Sequence, residues 1–271
     1  MLARILPYLR CPRCTAARLQ DGGAAVECRD CRARYPIEEG ILEMMDGEAA
    51  QVITPFQRIM QTRLVVAIYE RFWRRLGYFL ASSRSFDDEI AAILRLQSGS
   101  GAARVLDLAC GTGVFTRPLA RALGGVVVGL DLSRPMLRRA RLLAEREDVR
   151  NIVLIRASAF RIPFVAETFA GVNCCGALHL FDRPEPALAE IARVLARTGR
   201  FSLQTTIRPR RSAGFAYVME RFIRFGFFAE DELRELLRRH GFKIVDGERH
   251  RISCTLLARH ISCPEGSARV I

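Results

Sequence analysis

Two groups of residues have types and spacings that could do chemistry. The first is Cys11-Pro-Arg-Cys14 followed, after thirteen residues, by Cys28-Arg-Asp-Cys31. Each Cys-x-x-Cys pair suits a tight turn that aims two thiolates at one point, and two such turns complete a tetrahedral sulfur set for Zn²⁺. Four thiolates on one Zn²⁺ leave a net charge of about −2. Arg10, Arg13, Arg29 and Arg32 flank the cysteines and offset that charge. A closed four-cysteine site leaves no open position for a substrate, so its expected role is structural. Free or redox thiols are the alternative reading of these four.

The second group lies in VLDLACGTGVF, residues 105–115, and in VVVGLDLS, residues 126–133. Both read as apolar strands that end in an acid, Asp107 and Asp131. After Asp107 the chain turns through Gly111 and Gly113, which lets backbone approach a ligand closely. Asp131 is placed to accept hydrogen bonds from two ribose hydroxyls. A dinucleotide fingerprint needs a third glycine where Thr116 stands. Asp107 also fits poorly beside a pyrophosphate and well beside a cationic amino-acid group. The expected ligand therefore carries a ribose and a positive charge but no phosphate.

The elements that would position these groups follow from periodicity. Residues 55–80 read as a helix, and Ser85 as the N-cap of another, with acids in its first turn. From 104 onward strands (104–108, 126–130, 152–155, 169–174, 200–205) alternate with helices (114–123, 135–146, 184–195, 230–240). Apolar runs follow near 243–245 and 252–257. That alternation predicts an α/β fold with a doubly wound, Rossmann-like parallel sheet, in which ligands bind beyond the carboxyl ends of the strands. Tyr35, Ile37, Ile41 and Leu42 are expected to close the ribbon. The division expected is a zinc ribbon over 1–46, a linker and helical lid over 47–100, and a cofactor-binding domain over 101–271.

On these motifs the chain resembles the class I S-adenosylmethionine-dependent methyltransferases, over roughly residues 100–260. VLDLACGTG is similar to the family's first motif, with Ala109 at a position usually held by Gly. The resemblance implies that Asp107, Ala109, Gly111 and Gly113 hold the methionine part of S-adenosylmethionine and that Asp131 binds the ribose. It places Leu132, Met136, Ser158, Ala159, Phe160 and Cys174 among the cofactor contacts. Ser158 stands where an adenine-binding Asp is usual, and Phe160 is expected against the adenine. Just past the fourth strand of the alternating region, His179 is the candidate general base; a packed histidine is the other reading. Cys174 and Cys175 are not expected to be nucleophiles, because direct methyl transfer needs no covalent enzyme intermediate. Tyr69 and Trp73, on the helix ahead of the sheet, are candidate acceptor contacts, and residues 214–228 are a second aromatic wall.

Composition limits the partners. The net charge is +13, yet residues 1–50 carry seven Arg against eight acids, so the excess lies elsewhere and is spread over many helix faces. This reads as solvated arginine rather than a nucleic-acid surface. No apolar run reaches the roughly 20 residues of a membrane span, and the expected location is cytoplasmic. The leading expectation is methyl transfer to a small organic acceptor, foremost O-methylation of a natural-product hydroxyl or enol in secondary metabolism, with C-methylation second. The alternatives are an rRNA or tRNA base methyltransferase docking RNA through its ribbon, and a non-catalytic zinc-ribbon adaptor. Loss of zinc is expected to loosen residues 1–50 and leave cofactor binding intact.

Overall fold

The chain begins with two short 3₁₀ turns, Leu2–Arg4 and Leu6–Tyr8. Four ribbon strands follow: β1 (Leu19–Asp21), β2 (Ala25–Cys28), β3 (Arg34–Glu38) and β4 (Ile41–Glu43). This computed structural model describes residues 1–45, 75–100, 104–209 and 226–262. Most of the expected lid helix, with Tyr69 and Trp73, lies outside them, as do residues 214–225 of the second aromatic wall.

Helix α1 spans Arg75–Ser82 and α2 spans Phe86–Gln97. Ser85 caps α2 as its sequence implies. Its hydroxyl accepts the Asp88 amide at 3.1 Å while the Asp88 carboxylate accepts the Ser85 amide at 3.1 Å, a reciprocal capping box. Phe86, Ala92, Ile93 and Leu96 are buried at helical spacing, so one face of α2 packs on the sheet.

The alternating region then gives β5 (Val105–Leu108), α3 (Thr116–Leu123), β6 (Val127–Asp131), α4 (Arg134–Arg146) and β7 (Ile152–Arg156). It continues with β8 (Phe169–Cys175), α5 (Pro184–Val194), β9 (Leu195–Thr206), α6 (Glu230–Arg239), β10 (Phe242–His250) and β11 (Ser253–His260). The two last apolar runs thus form an antiparallel hairpin, with β11 inserted between β9 and β10.

The strand order is β1-β2-β3-β4-β7-β6-β5-β8-β9-β11-β10. Strands β7, β6, β5, β8 and β9 run parallel, so their carboxyl ends share one edge. Strand order reverses between β5 and β8, which places the ligand crevice beyond those two ends. The ribbon extends this sheet: β4 pairs in parallel with β7 through Ile41–Leu154, Leu42–Ile155 and Glu43–Arg156. Its apolar residues join the main core, where Ile5, Leu9, Val26, Tyr35 and Leu42 pack in one cluster with Leu106, Ile155, Phe164 and Phe169. The opposite face is covered by α2 and α3 through Phe86, Ile93, Phe115 and Leu119.

Candidate active site

The β5 turn is built from backbone conformations that side chains resist. Ala109, Gly111 and Gly113 all have positive φ, at 55°, 55° and 78°. A Cβ on Gly113 would meet Ala140 at 3.2 Å, so this glycine lets α3 and α4 approach. Around Gly111 nothing lies within 4 Å of a Cβ, so its backbone faces open space. Ala109 adopts the left-handed conformation despite its Cβ, a cost of roughly 1–2 kcal/mol for L-residues.

Asp131, at the end of β6, closes the other side of this cradle. Its Oδ2 accepts the Gly111 amide and its Oδ1 accepts the Ser133 amide, each at 2.8 Å. Burial pushes its carboxyl above the usual range, against the lowering effect of those amides. Ser133 in turn caps α4, taking the Met136 amide at 3.4 Å. Leu132 is half-buried beside Asp131, and Met136 is buried one turn into the helix.

Asp107 is not laid open to a ligand. It is 2% exposed, Thr116 donates to its Oδ2 at 2.6 Å and Asn173 donates to its Oδ1 at 2.7 Å. Asn173, wholly buried in β8, accepts in turn from Ser202 at 2.8 Å and from the Cys175 thiol at 3.1 Å. Gln97 of α2 donates to Ser202 at 2.8 Å and to the Val172 carbonyl at 3.0 Å. Asp107 is therefore the end of a buried polar chain that fixes the base of the turn and places its negative charge there. The sequence signal for this hydrogen-bonded series is an Asn inside an apolar strand, because a buried amide must find partners.

The loop after β7 carries Ser158, Ala159 and Phe160. Ser158 is 3% exposed and its Oγ accepts the Phe160 amide at 3.1 Å, so the hydroxyl shapes the loop. Phe160 is half-buried and meets Phe181 edge to face, with centroids 5.5 Å apart. Cys174 is completely buried, and burial together with the Asp107 charge pushes its thiol up to about 12. Such a thiol is not a nucleophile at neutral pH.

His179 follows β8 in the 3₁₀ turn Leu178–Leu180. It is 7% exposed and lines a cavity of 460 Å³ with Phe181, Asp182, Gly226, Phe227 and Leu236 among others. Its Nδ1 lies 3.3 Å from Thr205 Oγ1, and its carbonyl accepts the Gly226 amide at 3.0 Å. Those bonds fix both ring and backbone at the same sheet edge as Asp107 and Asp131.

The matching fold and motif order decide the class. A family model described as a methyltransferase domain matches residues 105–199. An uncharacterized chloroplastic methyltransferase of Arabidopsis thaliana is 32% identical over 68% of this chain and 54% of that protein. A demethylmenaquinone methyltransferase of Lactiplantibacillus plantarum is 37% identical over 48% of this chain and 55% of that protein. A crystal structure of a protein from Bacillus halodurans superposes with TM-score 0.55 and 26% identity over 59% of this chain and 71% of that one. Residues 105–199 match a methyltransferase domain, carried on an α/β sheet like that of the superposed structure. The chain spans about half the length of both curated relatives. The Gly111–Asp131 cradle and the Phe160 loop lie beyond the carboxyl ends of the parallel strands, the edge where open α/β sheets bind ligands. No helix among the described residues is long and apolar enough to cross a membrane.

The four ribbon cysteines are brought together as expected. Their sulfurs lie within 4.8 Å of one another, with Cys11–Cys31 and Cys14–Cys28 both at 3.6 Å. A tetrahedron with Zn–S bonds of 2.3 Å has edges of about 3.8 Å. The two turns are built alike. Thr15 and Arg32 follow the pairs at φ 64° and 61°, and their amides reach back to the Cys11 and Cys28 carbonyls at 2.9 and 3.0 Å. Burial would raise the Cys11 thiol, but hydrogen bonds led by the Tyr35 hydroxyl at 3.1 Å outweigh it and hold it at about 7.

Proposed function

We propose that this chain is an S-adenosylmethionine-dependent methyltransferase acting on a small, planar organic acceptor. The observation that carries the reading is the Gly111–Asp131 cradle. An open, glycine-lined backbone surface faces a carboxylate whose orientation two amides fix. When bound there, S-adenosylmethionine supplies a methyl group on a good, neutral leaving group. Asp131 holds the ribose hydroxyls, with Leu132, Met136, Ala159 and Phe160 lining the adenine side. The Asp107 charge at the base of the turn favours the cationic methionine part.

The protein's work is then positioning and exclusion of water. His179, held by Thr205 and facing the cavity, removes a proton from an acceptor hydroxyl that is not already ionised. Deprotonation of an enol or phenol charges both the oxygen and a neighbouring ring carbon. O-methylation and C-methylation both follow from one arrangement, and the orientation of the acceptor selects between them. O-methylation of a natural-product hydroxyl is the first choice; a relative named for demethylmenaquinone supports a quinone-type ring as the acceptor class.

One structural Zn²⁺ on Cys11, Cys14, Cys28 and Cys31 completes the proposal. The ribbon spends its β4 edge and its acids Glu38, Glu39 and Glu43 on the methyltransferase domain. That supports a structural ribbon rather than an RNA-docking module. The test is transfer of labelled methyl from S-adenosylmethionine to a panel holding a reduced demethylated naphthoquinone, hydroxylated polyketides and unmodified rRNA. Label on a small acceptor supports the reading; label on RNA alone overturns it.

A further inference from the structure

Two of the ribbon's attachments to the methyltransferase domain end next to a proposed cofactor loop. The first precedes the first cysteine turn. Leu9 and Phe164 form an antiparallel bridge, the Arg10 amide donates to the Pro163 carbonyl at 3.0 Å, and the Val165 amide donates to the Tyr8 carbonyl at 2.9 Å. Cys11 is the residue after Arg10, and Phe160 lies three residues before Pro163. A cavity of only 230 Å³ separates Cys11 and Thr15 from Phe160 and Arg161. The far side of this loop is clamped by Arg193, whose guanidinium donates to the Phe164 and Ile162 carbonyls at 2.6 and 2.8 Å. Residues 162–165, which follow the Phe160 loop, are thus gripped between α5 and residues 8–10, which lead directly into the first cysteine turn.

The second attachment runs through Glu43 at the end of β4. Its side chain is 11% exposed, and its Oε2 accepts from Arg156 at 3.1 Å. Arg156 Nε donates to the Leu132 carbonyl at 2.9 Å, the residue beside Asp131. The other Glu43 oxygen lies 3.4 Å from the Arg134 guanidinium, which also pairs with Glu38. Glu39 takes two bonds from Arg138, at 2.6 and 2.9 Å. Three acids of one ribbon hairpin therefore hold the first turns of α4, the helix that begins three residues after Asp131.

We propose that the ribbon is a positioning element of the cofactor site: residues 8–10, anchored by the metal-tied turn they lead into, hold residues 163–165 at the end of the Ser158–Phe160 loop, and Glu43 holds the Asp131–Ser133 loop through Arg156. This rests on the reading of that edge as the cofactor site and of the cysteines as a zinc site. A ligand binds more weakly in proportion to the fraction of protein that has the competent loops. Loss of the metal frees the Cys11 turn and with it the strand pairing at residues 8–10 and 163–165. Cofactor affinity then follows metal content, in contrast to a ribbon that could be lost without consequence.

The experiment uses the full chain in three forms: zinc-loaded, zinc-stripped by a chelator, and zinc-loaded Glu43→Gln. Each is measured by calorimetric titration with S-adenosylhomocysteine, by backbone hydrogen exchange and by metal analysis. The zinc-stripped form is expected to lose about tenfold or more in affinity, as when a tenth of the population stays competent. Its exchange should rise at 157–165. Glu43→Gln keeps the side-chain volume and the zinc. It should lose affinity several-fold and exchange faster at 131–136, with 157–165 unchanged. If stripping unfolds the whole chain, Glu43→Gln decides. Wild-type affinity and wild-type exchange in either altered, folded form overturn the proposal. A zinc-loaded wild type that does not bind S-adenosylhomocysteine overturns the cofactor reading instead, and the exchange pattern then decides the coupling.

Discussion

Asn173 gives the sharpest test of how the cofactor turn is held. Its amide donates to Asp107 at 2.7 Å and accepts from Ser202 and Cys175, all in a wholly buried setting. Asn173→Ala removes one hydrogen bond to a charged group, about 1.5–3 kcal/mol. It also leaves the Ser202 hydroxyl hydrogen without its acceptor, roughly 1–3 kcal/mol more. Because neighbouring effects do not add fully, the expected loss is about 3–5 kcal/mol. Asn173→Asp has nearly the same shape and keeps the acceptor for Ser202, but sets a second carboxylate against Asp107. Two such groups cannot both ionise cheaply, so one acquires a raised pKa in the folded state. A raised folded-state pKa means the native protein binds a proton that the unfolded chain releases, so stability improves as pH falls toward that of the unfolded carboxyl. Urea unfolding of both variants between pH 5 and 8, a span above the ordinary carboxylate pKa of about 4, reads this directly. Asn173→Asp should approach wild type at the acid end and fall away toward pH 8. A loss under about 1 kcal/mol for Asn173→Ala, together with no pH dependence for Asn173→Asp, would refute the buried chain as the support of the turn.

His179→Ala should lower turnover by about 10²–10⁴ while leaving S-adenosylhomocysteine affinity near wild type, and the loss should shrink at high pH; unchanged turnover and KM across the pH range would make His179 a packing residue. Ala109→Gly relieves a left-handed alanine at φ 55° and should stabilise the fold by about 1 kcal/mol in urea unfolding. Asp131 has its carboxyl raised by burial, so wild type should gain stability relative to Asp131→Asn as pH falls through that pKa, while its S-adenosylhomocysteine affinity declines over the same range. Gly226→Ala would set a Cβ 2.5 Å from the His179 carbonyl, and crystallography or turnover should show that turn displaced.

The parts legible in the sequence are those encoded locally. An apolar run, an acid and a glycine turn specify β5 and the turn after it, and the same pattern ends β6 at Asp131. Ser85 and Asp88 announce α2 because a capping box is a four-residue device. The cysteine turns are legible for the same reason. What the sequence hides is pairing between distant segments. Ile41 and Leu42 close the ribbon against β3 as expected, but their sequence does not show that the other edge of β4 joins β7, because strand pairing is set by the partner's edge. The strand expected at 200–205 in fact starts at Leu195, directly after α5, and runs through Arg197, Thr198 and Gly199. Arg251 and Ile252 give no glycine turn signal, yet they join β10 to β11, with Arg251 at φ 53°. The hydrogen bonds that hold Asp107 are not legible in its motif, because its partners, Thr116 and Asn173, come from two other elements.

In the proposed function the Gly111–Asp131 cradle binds the nucleoside of S-adenosylmethionine. Calorimetric titration of S-adenosylhomocysteine into wild type and Asp131→Ala, with folding checked by circular dichroism, tests it most directly. Wild type should bind one equivalent per chain. Asp131→Ala should lose one or two hydrogen bonds to a charged group, about 1.5–3 kcal/mol each, or at least tenfold in Kd. A folded Asp131→Ala protein with wild-type affinity would mean that Asp131 does not hold the ribose.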